Sequence, residues 1–207
     1  MSLSGEEPQA AMSLSRRSAA VIVVGGLALS GAIVGALWSW LAPPAHGVVA
    51  LTRSGQRIQT YLGSESDHLF VAAAMLIGML TPLAIIAAVL VWQWRAHRGP
   101  VLVTALWVGS VAAAATAAGV GAALAHWRYG SVPFETAPVT PEHRIYYFTE
   151  APPVFFAHGP LQIATTLLFP AAIAALVYAL MAVATPRDDL GASPAQEHPD
   201  LLIPAQP

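Results

Sequence analysis

The sequence predicts an all-α membrane protein: a bundle of four transmembrane helices with a small external β element built from its two outer loops. Three observations carry this. Four apolar stretches, at about 18–41, 69–92, 101–125 and 160–184, interrupt an otherwise polar chain. Each reaches the roughly 20 residues needed to cross a bilayer core of about 30 Å. Only 10% of the 207 residues are charged and 56% are hydrophobic, whereas a soluble domain carries about 25% charged residues.

The first stretch follows Arg16 and Arg17, as a secretory signal would. A signal core is usually about 7–15 residues, and this run is longer. It ends in Trp38, Trp40, Pro43 and Pro44, an interfacial anchor and a helix stop rather than a cleavage site. It is expected to remain as a span. Within it, Gly31-Ala-Ile-Val-Gly35 is a GxxxG motif, with Gly26 and Ser30 nearby. Small residues at this spacing let two helix backbones approach closely in lipid. The third stretch has its own small face, Gly109, Ala113, Ala117 and Gly121, suited to the first. Gly31, Gly35, Gly109 and Gly121 are therefore the candidate helix-packing or partner-contact positions. Pro82 and Pro170 lie inside the second and fourth stretches. Each removes a backbone donor and is expected to bend its helix, with Thr81, Thr165 and Thr166 placed to satisfy freed carbonyls.

Topology follows from arginine placement, because all nine basic residues are arginine. Arg16, Arg17, Arg95, Arg98 and Arg187 fall on one side of a four-span chain and Arg53, Arg57, Arg128 and Arg144 on the other. The short loop holding Arg95, His97 and Arg98 is the densest, and the positive-inside rule puts it in the cytoplasm. Both termini are then cytoplasmic, and loops 42–68 and 126–159 face outward. Trp38, Trp40, Trp92, Trp94, Trp127 and Tyr129 fall at span ends, where an aromatic belt sits; Trp107 lies one turn inside. Residues 1–17 and 186–207, rich in Ser, Pro, Ala and Gln, are expected to be disordered cytoplasmic tails around a transmembrane domain at 18–185.

In the first outer loop, β-rich runs at 48–53 and 56–62 flank Ser54 and Gly55, which predicts a hairpin. A third run at 143–149, bounded by Pro138, Pro141, Pro152 and Pro153, is expected to join it, since a lone hairpin is marginal in water. Arg53 and Arg57 have Glu135, Glu142 and Glu150 as possible partners.

Candidate chemistry is sparse. His46, His68, His126 and His158, with Glu65, Asp67 and Glu150, are of metal-ligating type. They show no HxxxH or HExxH spacing. Ser66 or Asp67 more simply caps the second span. The spans contain no histidine for haem and no carboxylate for a proton-coupled exporter. There is no cysteine, no GxSxG and no phosphate-binding loop. The net charge of −2 implies no nucleic-acid surface. No catalytic, cofactor-binding or metal-ligating residue is assigned, and no cofactor is expected. Gln162, Thr81, Thr104, Ser110 and Thr116 are the only polar groups available for an intramembrane ligand, and Gln162 is placed to bond across helices.

Several strings occur together: Val49-Ala-Leu-Thr-Arg-Ser-Gly55, Tyr61-Leu-Gly-Ser-Glu-Ser-Asp67, Val91-Trp-Gln-Trp-Arg-Ala-His-Arg-Gly-Pro100, Glu150-Ala-Pro-Pro-Val-Phe-Phe156 and Arg187-Asp-Asp-Leu-Gly191. They resemble an uncharacterised actinobacterial, largely mycobacterial, family of four-span membrane proteins of unknown function, over about 18–191. The resemblance implies no catalytic residue. It further suggests an accessory subunit of the respiratory cytochrome bcc–cytochrome c oxidase supercomplex. The resulting expectation is a non-catalytic subunit in the cytoplasmic membrane, with the lipid bilayer and other membrane subunits as partners. The alternatives are a ligand- or lipid-binding or transport protein, and an envelope enzyme using His46, Asp67, His126, Glu150 and His158.

Overall fold

The structure, a computed structural model, describes residues 15–130, 134–153 and 159–186. Both tails, including Arg187, and His158 lie outside the described residues. The elements run α1 (Arg16–Leu41), β1 (Ala45–Leu51), β2 (Arg57–Tyr61), α2 (Ser66–Gln93), α3 (Pro100–Tyr129), β3 (Ile145–Glu150) and α4 (Pro160–Val183). The helices hold 26, 28, 30 and 24 residues. At 1.5 Å per residue each is about 36 Å or longer, enough to cross a membrane. Their most apolar 18-residue windows have mean hydropathies between 1.9 and 2.5.

Local chemistry sets the helix ends. Ser15 caps α1 by accepting the Ser18 amide at 3.1 Å. Pro100 starts α3 at a position where no amide is needed, and Gly99 before it has φ of 145°, open only to glycine. The expected side-chain cap on α2 is not made. Ser66 is already helical, Glu65 occupies the cap position, and neither Ser66 nor Asp67 bonds an orphan amide. Glu65 is drawn instead to His46.

The α1 and α3 helices run parallel and share the closest interface. A Cβ on Gly31 would meet the Ala113 backbone, with its Cα at 2.6 Å. One on Gly35 would meet Ala117, with its Cα at 2.8 Å. Across the same seam Gly109 receives Leu27, and Gly121 receives the Trp38 ring. The Thr116 hydroxyl crosses to the Ala28 carbonyl at 2.8 Å while also bonding Ala112 in its own helix. The α4 helix packs between α3 and α2, and α1 meets α2 more loosely.

Trp38 departs from its expected place in an aromatic belt. It is 0% exposed, and its indole N–H donates to the Ala72 carbonyl of α2 at 2.7 Å. Trp40, two residues on and about 200° around the helix, is 82% exposed. The periodicity, not the nearness to a span end, decides which of the two turns inward. At the other end, Arg98 stacks over Trp92 at 4.3 Å and donates to its carbonyl, and Tyr178 meets the same ring edge-on.

The threonines beside the prolines also differ from expectation. Both α2 and α4 continue through Pro82 and Pro170. Thr81 donates to Ile77, and Thr165 and Thr166 both donate to Gln162. The carbonyls that the prolines release belong to Gly78 and Thr166, four residues back. The hydroxyls therefore bond back along their own helix instead of repairing the ladder. The Gln162 amide folds against Gly159 at the start of α4 rather than reaching another helix.

A three-stranded antiparallel sheet, in order β2-β1-β3, closes one end of the bundle. The expected hairpin turn is present at Thr52–Gln56, with Gly55 at φ of 81°. Strand β1 begins at Ala45, three residues before the predicted run, because β3 extends pairing to Ala45 and Glu150.

Gly35→Leu, which drives a side chain into the α3 backbone, is expected to destabilise the fold by at least about 2 kcal/mol. Gly119→Leu, where nothing lies within 4 Å, should not destabilise the fold and should raise its stability by up to about 1 kcal/mol, leucine being the better helix former. Denaturant titration in detergent micelles followed by tryptophan fluorescence measures both.

Candidate functional site

The sheet and the helix ends beneath it gather most of the polar side chains that the sequence singles out. One sheet face turns toward the bundle. Gly47 lies in the central strand between Tyr61 on β2 and Phe148 on β3. The Phe148 ring occupies the space that a Gly47 side chain would need. It meets the Tyr61 ring edge-on at 6.0 Å. Val49, buried beside them, packs with Ala137 and Val139 from the chain leading into β3.

The Tyr61 hydroxyl donates to Glu150 at 2.5 Å. Burial, then the carboxylate beside it, raises the Tyr61 pKa from 10 to about 12. Tyr61 therefore keeps its proton at any physiological pH, and a group so far from neutrality is a poor proton carrier. Glu150, one of three possible arginine partners in the sequence, is thus occupied by Tyr61. Arg57 donates to the backbone carbonyls of Phe134 and Glu135, the latter at 2.6 Å. A planar donor fork can satisfy two carbonyls that no strand reaches.

His46 and His68 tie the sheet to α2. The Glu65 carboxylate accepts both the His46 backbone amide and its ring Nδ1, each at 2.6 Å. The amide bond, followed by the ring bond, lowers the Glu65 pKa. His68 donates from Nδ1 to the Pro44 carbonyl at 2.8 Å. No group of three His, Cys, Asp or Glu side chains suited to a metal occurs among the described residues. His126 lies apart, in the last turn of α3. It lines a cavity of about 270 Å³ between sheet and helix end, with Gln59, Tyr129, Phe148, Thr149 and Glu150.

The outward sheet face has the opposite character. Pairing sets Val48 beside Tyr147, and Ala50 beside Ile58 and Ile145. Ile58, Ile145 and Tyr147 are 49%, 57% and 66% exposed. Together they make a contiguous apolar patch. The strand predictions contained these residues, but which face they occupy depends on the register with β1. The alternation of Tyr61, Gln59 and Arg57 against Ile58 was the available signal.

Comparison with known proteins agrees with the strings noted in the sequence. The family model described as "Protein of unknown function (DUF2567)" matches residues 27–192. The chain belongs to this family. An uncharacterised protein of Mycobacterium tuberculosis is 56% identical over 171 residues, covering 82% of this chain and 89% of the relative. An uncharacterised protein of Mycobacterium leprae is 56% identical over 169 residues, covering 82% and 85%. No solved structure matches the chain. The family match spans the sheet, the cavity and all of α2, α3 and α4.

Because the raised Tyr61 pKa favours the protonated folded state, its stabilisation is complete below pH 10 and lost as pH rises through about 12. Ultraviolet titration is expected to show one tyrosine ionising near that upper value. The component should be missing in Tyr61→Phe, which should also lose about 1 kcal/mol of stability at neutral pH.

Proposed function

We propose that this protein is a non-catalytic integral membrane protein that serves as an accessory subunit of a larger membrane assembly. Its four apolar helices span the cytoplasmic membrane, with both termini cytoplasmic and the sheet outside. Membrane residence is supported by what the bundle leaves uncovered. Ile22, Leu29, Ile33, Ile86, Leu90 and Leu180, among others, lie at least half exposed along α1, α2 and α4. Such a surface is suited to lipid. Arginine placement supports the orientation.

The observation that carries the subunit reading is the outward sheet face. Ile58, Ile145 and Tyr147 sit on the side of the sheet turned away from the helices. A contiguous apolar patch in water marks a contact surface, and an exposed tyrosine is a common anchor in one. The titratable groups around the sheet support a non-catalytic role, since Glu150 and Tyr61 on its bundle-facing side, and His46 with Glu65 at its edge with α2, hold the sheet in place. Among the described helices, histidine occurs only near the ends, His68 in the first turn of α2 and His126 in the last turn of α3, and none lies in the apolar middle of a span where a membrane haem would sit. The respiratory cytochrome bcc–cytochrome c oxidase supercomplex is the assembly to examine first, because a bundle without histidine in the apolar middle of its described spans suits an accessory place in it.

The alternative, a ligand-binding protein, draws on the cavity lined by His126 and Gln59. The polar groups inside the helices favour it less: Thr81, Thr104 and Ser110 each bond their own helix.

Alkaline carbonate extraction should leave the protein in the membrane pellet; release to the supernatant would overturn the membrane reading. Purification of a chromosomally tagged copy in mild detergent should recover stoichiometric membrane subunits. A haem spectrum with oxidase subunits identifies the respiratory assembly. Tyr147→Glu with Ile58→Glu should lower that recovery about tenfold or more without unfolding the protein. Recovery of the protein alone would overturn the subunit reading.

A further inference from the structure

The end of the bundle opposite the sheet differs from it in charge and shape. Arg16 and Arg17 begin α1, and Arg95 and Arg98 lie in the turn between α2 and α3. All the described carboxylates, Glu65, Asp67, Glu135, Glu142 and Glu150, belong to the sheet end. The basic end thus carries four arginines and no described acid.

An apolar groove between α1 and α2 runs down from this end. Its volume is about 300 Å³, and its walls include Ile22, Gly26, Ser30, Leu83, Leu90 and Trp94. Ser30 turns its hydroxyl onto the Gly26 carbonyl at 2.9 Å, which leaves the wall apolar. Gly26 keeps the groove open, because a Cβ there would meet nothing within 4 Å. From Leu83 to Trp94 the groove extends about 16 Å along α2 at 1.5 Å per residue. Half of a bilayer core is about 15 Å. The groove therefore matches one leaflet in depth, starts beside Arg95, and ends near mid-membrane.

We propose that this groove holds an acyl chain of an anionic phospholipid of the cytoplasmic leaflet, whose phosphate lies among Arg95, Arg16 and Arg17. The inference rests on the membrane reading above. The apolar walls exclude a polar ligand, the depth fits a single chain, and the arginines at the mouth favour an anionic over a zwitterionic headgroup. Trp94 closes the upper wall at the level where indole rings favour the interface.

The test uses the full-length protein in mild detergent, mixed with equal phosphatidylglycerol and phosphatidylcholine of the same chains, and native mass spectrometry. The wild type should retain one lipid, with phosphatidylglycerol favoured at least about fivefold. Gly26→Leu fills the groove with a better helix former and should lose that adduct. Gly25→Leu adds the same bulk to the neighbouring α1–α3 groove, where a Cβ also meets nothing, and should keep it. Arg95→Gln should retain a lipid but lose about fivefold of the preference. Equal retention of the two lipids by the wild type, or an unchanged adduct in Gly26→Leu, overturns the proposal. So does equal loss in both glycine variants, which would mean an unspecific lipid shell. A dimer lost in Gly26→Leu would instead seat a second copy in the groove and also overturn it. Carbonate extraction separates these failures from failure of the membrane reading.

Discussion

The close approach of α1 to α3 is the constraint from which the rest of the bundle follows. In the membrane setting proposed above, helices gain little from burying apolar surface against each other, so contact must come from dense packing and shared polar groups. Gly31 and Gly35 remove the side chains that would hold α3 away, and Ala113 and Ala117 occupy the space. Thr116 then reaches a carbonyl of α1 that a longer separation would put out of range. Since α1 and α3 are parallel, they deliver Leu41 and Tyr129 to the same end, where the sheet forms. Trp38 extends the seam sideways. Its ring lies over Gly121 and its N–H reaches α2, so a single side chain joins three helices.

The sheet depends on a second small residue in a similar way. Gly47 in the central strand leaves room for Phe148, which packs over it against Tyr61. That packing brings the Tyr61 hydroxyl to Glu150 and excludes enough water to raise its pKa. His46 and Glu65 then bind the sheet to α2. The side chains with the most obvious chemical potential are thereby committed to holding the cap in place. The surfaces left over are an apolar patch facing outward and an apolar groove beneath arginines, both suited to binding.

Much of this was legible beforehand. The four helices are visible because each is a long run of apolar residues, a signal that needs no partner to interpret. The three strands are visible from β-rich runs and from the Ser54 and Gly55 turn. Other features were not. Trp38 and Trp40 both look like interfacial anchors until helix packing decides which faces inward. Arg57 and Glu150 look like natural partners, yet register places Glu150 beside Tyr61 and leaves Arg57 to backbone carbonyls. Ser66 and Asp67 have the chemistry of a cap, but Glu65 at the cap position is drawn away to His46 by the approach of β1.

By itself the sequence determined the number of apolar helices, the three strands, the placement of arginines and the family. These follow from local composition and order along the chain, which folding does not change. Only the tertiary structure decided that α1 takes α3 rather than its neighbour α2, so that a groove remains between α1 and α2. It also decided which sheet face is apolar outward, and that His46, His68, Glu65 and Glu150 serve as ties. Each of these depends on contacts between residues distant in sequence, where the outcome rests on fit and register rather than on residue type.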